Sequence, residues 1–158
     1  MKITVELLER LNACPEGIIY FKEQYIEIEH DKLITELNSN GKHDWSNWLV
    51  SHLLEGLNVQ RYGVFSAKLV LPIWEKEYPT KLEPRKAIEA VDAYILDPTP
   101  ENAQIARDAA RDAWDAARAA SDAAWAAAWA AWAAASDAMY EKIIIYGLEL
   151  IRQQETKG

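Results

Sequence analysis

Cysteine occurs once in the 158 residues, at Cys14. A lone thiol closes no internal disulfide and leaves no multi-cysteine metal site, so a reducing cytoplasm is the expected setting. Histidine is nearly as scarce. His30, His43 and His52 lack the three- or four-residue separations that place two ligands on one helix face, which argues against a helical metal motif. Only six glycines are present, and no glycine-rich loop or G-x-S-x-G elbow occurs. A backbone phosphate cradle and a hydrolase nucleophile elbow are thereby excluded. Bases are outnumbered, 17 against 25 acids, for a formal net charge of -8. That balance weighs against binding nucleic acid by neutralising phosphates. Met1 to Arg10 lacks the charged-then-apolar run of a secretory leader, so secretion is not expected. The one long stretch of low charge is rich in alanine and is interrupted by Arg107, Asp108, Arg111, Asp112, Asp115, Arg118, Asp122 and Asp137. Burying those charges would be costly, so no membrane span is expected.

What remains is a chain half apolar and 27% charged, the composition of a folded globular protein. Its length suits one hydrophobic core. Helix signals run almost throughout. Thr4 reads as a cap ahead of Val5, Leu7, Leu8 and Leu11, and Pro15 as the first turn of a second helix with Ile18, Ile19, Phe21 and Tyr25. Asp31 reads as the cap of a third carrying Leu33, Ile34 and Leu37, ended by Asn38-Ser39-Asn40-Gly41. Asp44 precedes Trp45, Trp48, Leu49, His52 and Leu53, which paint one face of a fourth helix closed by Gly56. That aromatic face is expected to be core. A fifth helix runs from about Gln60 to Tyr78, carrying Tyr62, Phe65, Leu69, Ile73 and Trp74 with a kink at Pro72, and a sixth opens at Glu83-Pro84 and ends before Asp97-Pro98. The pattern predicts a single all-α domain over 1–158: a short-helix module at 1–58, a kinked helix and a connecting helix at 60–97, and an alanine-rich segment at 99–152.

Thr99-Pro100-Glu101-Asn102 supplies an N-cap, a first-turn proline and an acid near the positive helix end. Between Ala106 and Ala138, 19 of 33 residues are alanine, the strongest helix former. Trp114, Trp125, Trp129, Trp132, Met139, Ile143, Tyr146 and Leu150 fall within a stripe of roughly 100° on such a helix. Two architectures fit: one long helix, or a hairpin folded back at Ser121-Asp122 or Ser136-Asp137.

Few residues offer chemistry. Cys14 with His43 or His52 as base would be a nucleophile pair, but an isolated cysteine at a helix end is usually a small hydrophobe. Glu27, Glu29, His30 and Asp31 form a charged run suited to acid–base work or a divalent cation, or simply to a solvated connector. The Trp45/Trp48 pair and the Trp125/Trp129/Trp132 group could stack a ligand, although aromatic stripes at helical spacing usually pack inward. The acids flanking the tryptophan stripe form a regular negative edge. Asp108, Asp112, Asp115 and Asp122 are its candidate partner-binding residues, with Arg111 and Asp115, and Asp115 and Arg118, as surface pairs.

Ala13-Cys14-Pro15-Glu16-Gly17 with Phe21, then Asp44-Trp45-x-x-Trp48-Leu49 with Leu53-Leu54, resembles an N-terminal module of small phage and bacterial proteins of unassigned function. Val70-Leu71-Pro72-Ile73-Trp74-Glu75-Lys76-Glu77-Tyr78-Pro79, then Glu83-Pro84-Arg85-Lys86-Ala87-Ile88-Glu89-Ala90 ahead of the alanines, is similar to immunity proteins of bacterial polymorphic toxin systems. Together these stretches lie within residues 1 to 140, and the apolar tail with Ile143-Ile144-Ile145 and Leu148 has no counterpart. The resemblance implies an all-helical protein that binds and neutralises a toxin, with no catalytic residues to carry over. The expected function is therefore non-enzymatic inhibition of a basic toxin or nuclease effector, including the anti-defence variant in which a nucleic-acid-targeting complex is blocked. No cofactor, metal, nucleic acid or membrane is expected as a partner. A homodimer assembled through the alanine/tryptophan helix is the alternative.

Overall fold

The computed structural model describes residues 1–156, and of residues 114–137 the backbone only. The chain is all-α, as its periodicity predicts, with seven helices among the described residues. The exception is a small antiparallel pair. Strand β1 (Lys2–Ile3) lies against β2 (Ile28–Glu29), with Lys2 opposite Glu29 and Ile3 opposite Ile28. Two compact units are present, one formed by Met1–Glu55 with Tyr140–Gly158, the other by Gly56–Met139.

In the first unit, α1 (Val5–Arg10) begins where Thr4 Oγ1 accepts from Leu7 N–H at 3.3 Å. The second helix, α2 (Pro15–Gln24), starts on Pro15 as expected, and Cys14 Sγ accepts from Gly17 N–H at 3.4 Å. Asp31 is not the cap of the third. Helix α3 (His30–Ser39) leaves β2 directly, because His30 N–H donates to the Met1 carbonyl at 3.0 Å and the strand pairing satisfies the first donor. Asp31 stands in its first turn. The turn after α3 contains Gly41 at φ +70°, a left-handed conformation that favours glycine. Lys42 N–H then returns to the Leu37 carbonyl at 2.8 Å and starts α4 (His43–Leu53), one residue ahead of Asp44.

The buried face of α4 is Ser46, Leu49, Val50 and Leu53, not the tryptophans. Trp45 and Trp48 are half-buried and His52 is exposed. The apolar arc of this helix is wide enough for two faces, and the aliphatic one meets α3, where Leu33, Ile34 and Leu37 are buried. Each fully buried aliphatic side chain contributes about 1.5–3 kcal/mol relative to exposure.

The rest of this core comes from the chain's far end. Helix α7 (Pro100–Glu155) is one helix rather than a hairpin. In its last turns Ile144, Gly147, Leu148 and Ile151 are buried together with Leu150 of the predicted stripe, whereas Met139, Ile143 and Tyr146 of that stripe are half-buried. The inward face is thus rotated from the tryptophan phase. Trp114, Trp125, Trp129 and Trp132 of that stripe lie outside the described side chains. The apolar tail completes the core of the first unit.

The second unit holds an αα-hairpin. Helix α5 (Leu57–Glu77) starts earlier than expected and continues through Pro72. Trp74 Nε1–H donates to the Lys81 carbonyl at 3.3 Å across the turn, and α6 (Glu83–Leu96) returns. Lys68 pairs with Asp92 at 2.6 Å, and Arg85 grips Glu75 through two bonds of 2.6 and 2.7 Å. Tyr62, Val64, Ile88 and Ala106 are buried in this unit, while Ile73 is exposed.

Candidate partner-binding surfaces

The start of α7 is built from its capping chemistry. Thr99 Oγ1 accepts from Asn102 N–H at 3.2 Å, and Asn102 Nδ2 reaches back to the Asp97 carbonyl at 2.8 Å. Two turns on, the exposed Asp108 is held in a chain of side chains one turn apart. Gln104 Nε2 donates to both of its oxygens at 3.0 Å, Arg111 reaches Oδ1 at 3.3 Å, and Arg107 donates to Gln104 Oε1 at 2.7 Å. Asp112 is exposed and makes no hydrogen bond or ion pair among the described residues. The expected acidic edge is therefore partly neutralised at Asp108 and open at Asp112. The side chains of Asp115 and Asp122 lie outside the described residues.

A denser constellation sits on α2 and α4. Tyr20 and Trp45 meet edge to face, with ring centroids 5.4 Å apart. Lys42 Nζ lies over both, 4.9 Å from the Tyr20 centroid and 4.5 Å from that of Trp45, within the range of a cation–π interaction. Along the same helix Trp48 and His52 stack at 4.2 Å. At its start His43 stacks on Tyr140 at 5.0 Å with rings 6° from parallel, and its Nδ1 is 2.8 Å from Asn38 Oδ1. Burial and the neighbouring Asp44, whose Oδ1 accepts from the Tyr140 hydroxyl at 3.4 Å, raise the Tyr140 pKa. Nothing local in the sequence pairs Tyr20 with Lys42, because that meeting depends on the packing of α2 beside the α3–α4 turn.

The nucleophile and acid–base candidates are occupied with local structure. Cys14 Sγ is spent on the helix start, and His52 Nδ1 is 2.8 Å from the Trp48 carbonyl. Of the charged run, Glu27 pairs with Lys2, Asp31 Oδ1 accepts from Lys32 N–H at 2.9 Å, and Glu29 lies 3.3 Å from the Met1 amino group. His30 is buried, with Nδ1 3.1 Å from the Met1 carbonyl and Nε2 3.9 Å from Glu155 Oε2. Glu29 and His30 thus meet at Met1, while Glu27 and Asp31 are held elsewhere, by Lys2 and by the Lys32 backbone. Among the described residues no three histidine, cysteine or acidic side chains are grouped to hold a metal, and no helix is long and apolar enough to cross a membrane.

Comparison of the chain with protein-family models, with curated proteins and with solved structures gives no match.

Proposed function

We propose that this chain is a stoichiometric protein-binding inhibitor working in the cytoplasm, one that neutralises a toxin or blocks a nucleic-acid-targeting effector without transforming a substrate. The observation that carries the reading is the aromatic side of α4, where Trp45 and Trp48 stay half-buried beside exposed His52 while a different side of the helix enters the core. Tryptophan and tyrosine held rigid at a surface are the residues from which protein interfaces draw most of their energy. Charge sets the kind of partner. Met1–Glu55 with Tyr140–Gly158 carries 13 acids against 8 bases, and Gly56–Met139 carries 12 against 9. Both units favour a basic partner, and such complementarity speeds encounter and selects among partners. Asp108, Asp112, Asp115 and Asp122 belong to this proposal as peripheral contacts. The likeness of residues 70–79 and 83–90 to immunity proteins points the same way.

The test joins capture to inhibition. The chain, used as bait, is expected to retain a basic protein, and the purified pair should lose the partner's activity at one-to-one stoichiometry. Trp48→Ala should weaken that inhibition by at least about tenfold, the effect of removing an interface anchor. A captured protein whose activity is untouched, or turnover of a substrate by the chain itself, would sink the reading. The homo-oligomer alternative keeps one supporting observation, the unbroken course of α7. Light scattering separates the two, a single-chain mass favouring the inhibitor.

A further inference from the structure

Lys42 is oddly placed for a lysine in an acidic protein. Its ammonium pairs with no carboxylate among the described residues and lies over two aromatic rings. The rings are fixed by their helices, Tyr20 in the middle of α2 and Trp45 in the first turn of α4. The Lys42 backbone is fixed as well, by its bond to the Leu37 carbonyl. Its charged head, however, ends a flexible four-carbon stem and among the described residues has only the ring faces to hold it. A cation–π contact at an accessible site is a weak restraint. Acids share the helices of this clamp without pairing with Lys42. Glu16 and Glu23 stand four residues before and three after Tyr20 on α2, hence on its side of the helix. Both are exposed and make no hydrogen bond or ion pair among the described residues. Asp44 precedes Trp45 and is exposed, and its Oδ1 accepts from the Tyr140 hydroxyl.

We propose that the Tyr20–Trp45 clamp is the seat of a lysine or arginine side chain from a basic protein partner, and that Lys42 fills it until the partner displaces it. This rests on the reading of the chain as a binder of a basic protein and assigns the contact. An incoming cation finds two electron-rich faces and three acids. An incoming anion finds Lys42, the nearby Lys22 of α2 being paired with Glu9 at 3.5 Å, and is repelled by Glu16, Glu23 and Asp44. Lys42 keeps the rings covered in the free chain, and its release restores a mobile charge, so the exchange of one cation for another conserves the clamp's own interaction.

The test uses tetra-arginine amide as the probe and tetraglutamate as its anionic counterpart, each titrated into the full ¹⁵N-labelled chain at low salt. The readout is the indole N–H resonance of Trp45, assigned from its loss in Trp45→Phe. Tetra-arginine is expected to move that resonance and tetraglutamate to leave it in place. Lys42→Gln removes the internal competitor and should tighten tetra-arginine at Trp45 by about threefold or more. Lys32→Gln makes the same change of charge on the exposed side of α3 and should produce less than half that gain. Tyr20→Leu keeps an apolar side chain and should weaken binding by about fivefold. Equal effects of Lys42→Gln and Lys32→Gln, movement of Trp45 by tetraglutamate, or no movement with either peptide would overturn the assignment and leave Lys42 as a structural clasp. The probe is not the partner, so the outcomes are separable. One-to-one inhibition with a silent clamp would keep the function and move its contact, whereas a responsive clamp in a chain that inhibits nothing would keep the seat and discard the inhibitor.

Discussion

Gln154 closes the end of α4 at Leu53, a residue 101 positions earlier in the chain. Its Nε2 donates to the Leu53 carbonyl at 3.1 Å while its Oε1 accepts from Glu55 N–H at 2.9 Å. One amide thus satisfies a carbonyl the helix leaves free and a donor just beyond it, the work a local cap does elsewhere. Gln154→Ala is expected to lower stability by about 1–2 kcal/mol, the cost of leaving a part-buried backbone group unpaired. A urea titration followed by far-ultraviolet circular dichroism measures it, and Gln153→Ala on the exposed side should change little.

The apolar tail provides a sharper contrast among neighbours. Ile144 and Ile151 are 2% and 1% exposed, whereas Ile145 is 57% exposed. Ile144→Ala or Ile151→Ala should cost about 2–5 kcal/mol through lost burial and a residual cavity. Ile145→Ala should stay within about 0.5 kcal/mol of the parent. Equal denaturation midpoints for Ile144→Ala and Ile145→Ala would contradict the packing described.

Two glycines should respond with opposite signs. Gly41 has positive φ and Gly63 lies within α5, and a Cβ added at either meets no atom within 4 Å. With no clash at either site, the backbone decides. Gly41→Ala should destabilise by about 1 kcal/mol because a left-handed conformation strains alanine, and Gly63→Ala should stabilise by about 0.5–1 kcal/mol through helix propensity. Thermal melts of both variants check the pair of signs.

Helix ends governed by neighbouring residues are readable from the chain alone: Thr4, Pro15 and Thr99 all mark starts that the structure contains. Start positions move where a distant segment supplies the first hydrogen bond, as Met1 does for α3. Periodicity identifies an apolar arc but not the edge that meets a neighbour. The aliphatic side of α4 therefore takes the core while Trp45 and Trp48 stay half-buried, and on α7 Leu150 of the stripe is buried beside Ile144, Leu148 and Ile151 while Met139, Ile143 and Tyr146 are half-buried. Acid spacing on α7 reveals Asp108 and Asp112 as surface residues but not the Gln104 and Arg111 bonds that occupy Asp108. The Tyr20–Lys42–Trp45 grouping is a product of tertiary packing and leaves no spacing signal.

Acid should find a weak point in the second unit. The Arg85 guanidinium, by hydrogen bonding first and charge second, holds the Glu75 carboxyl below the ordinary carboxylate range. A carboxyl with a depressed folded pKa contributes stability above its unfolded value, and the contribution disappears as pH falls through the folded one. Glu75→Gln should therefore flatten the loss of stability between about pH 5 and pH 2 while costing little of the intrinsic helix propensity. Urea midpoints of parent and variant across that range test it, and parallel curves would remove Glu75 from the acid response.

Because Ile144, Leu148 and Ile151 finish the core that Ile3, Leu8 and Phe21 begin, a ribosome that has delivered only the opening helices has not delivered a foldable unit. Those helices must wait, solvent-exposed, while the alanine-rich stretch is translated behind them. An aborted translation product ending before Ile144 would then carry uncovered leucines and isoleucines, marking it for degradation.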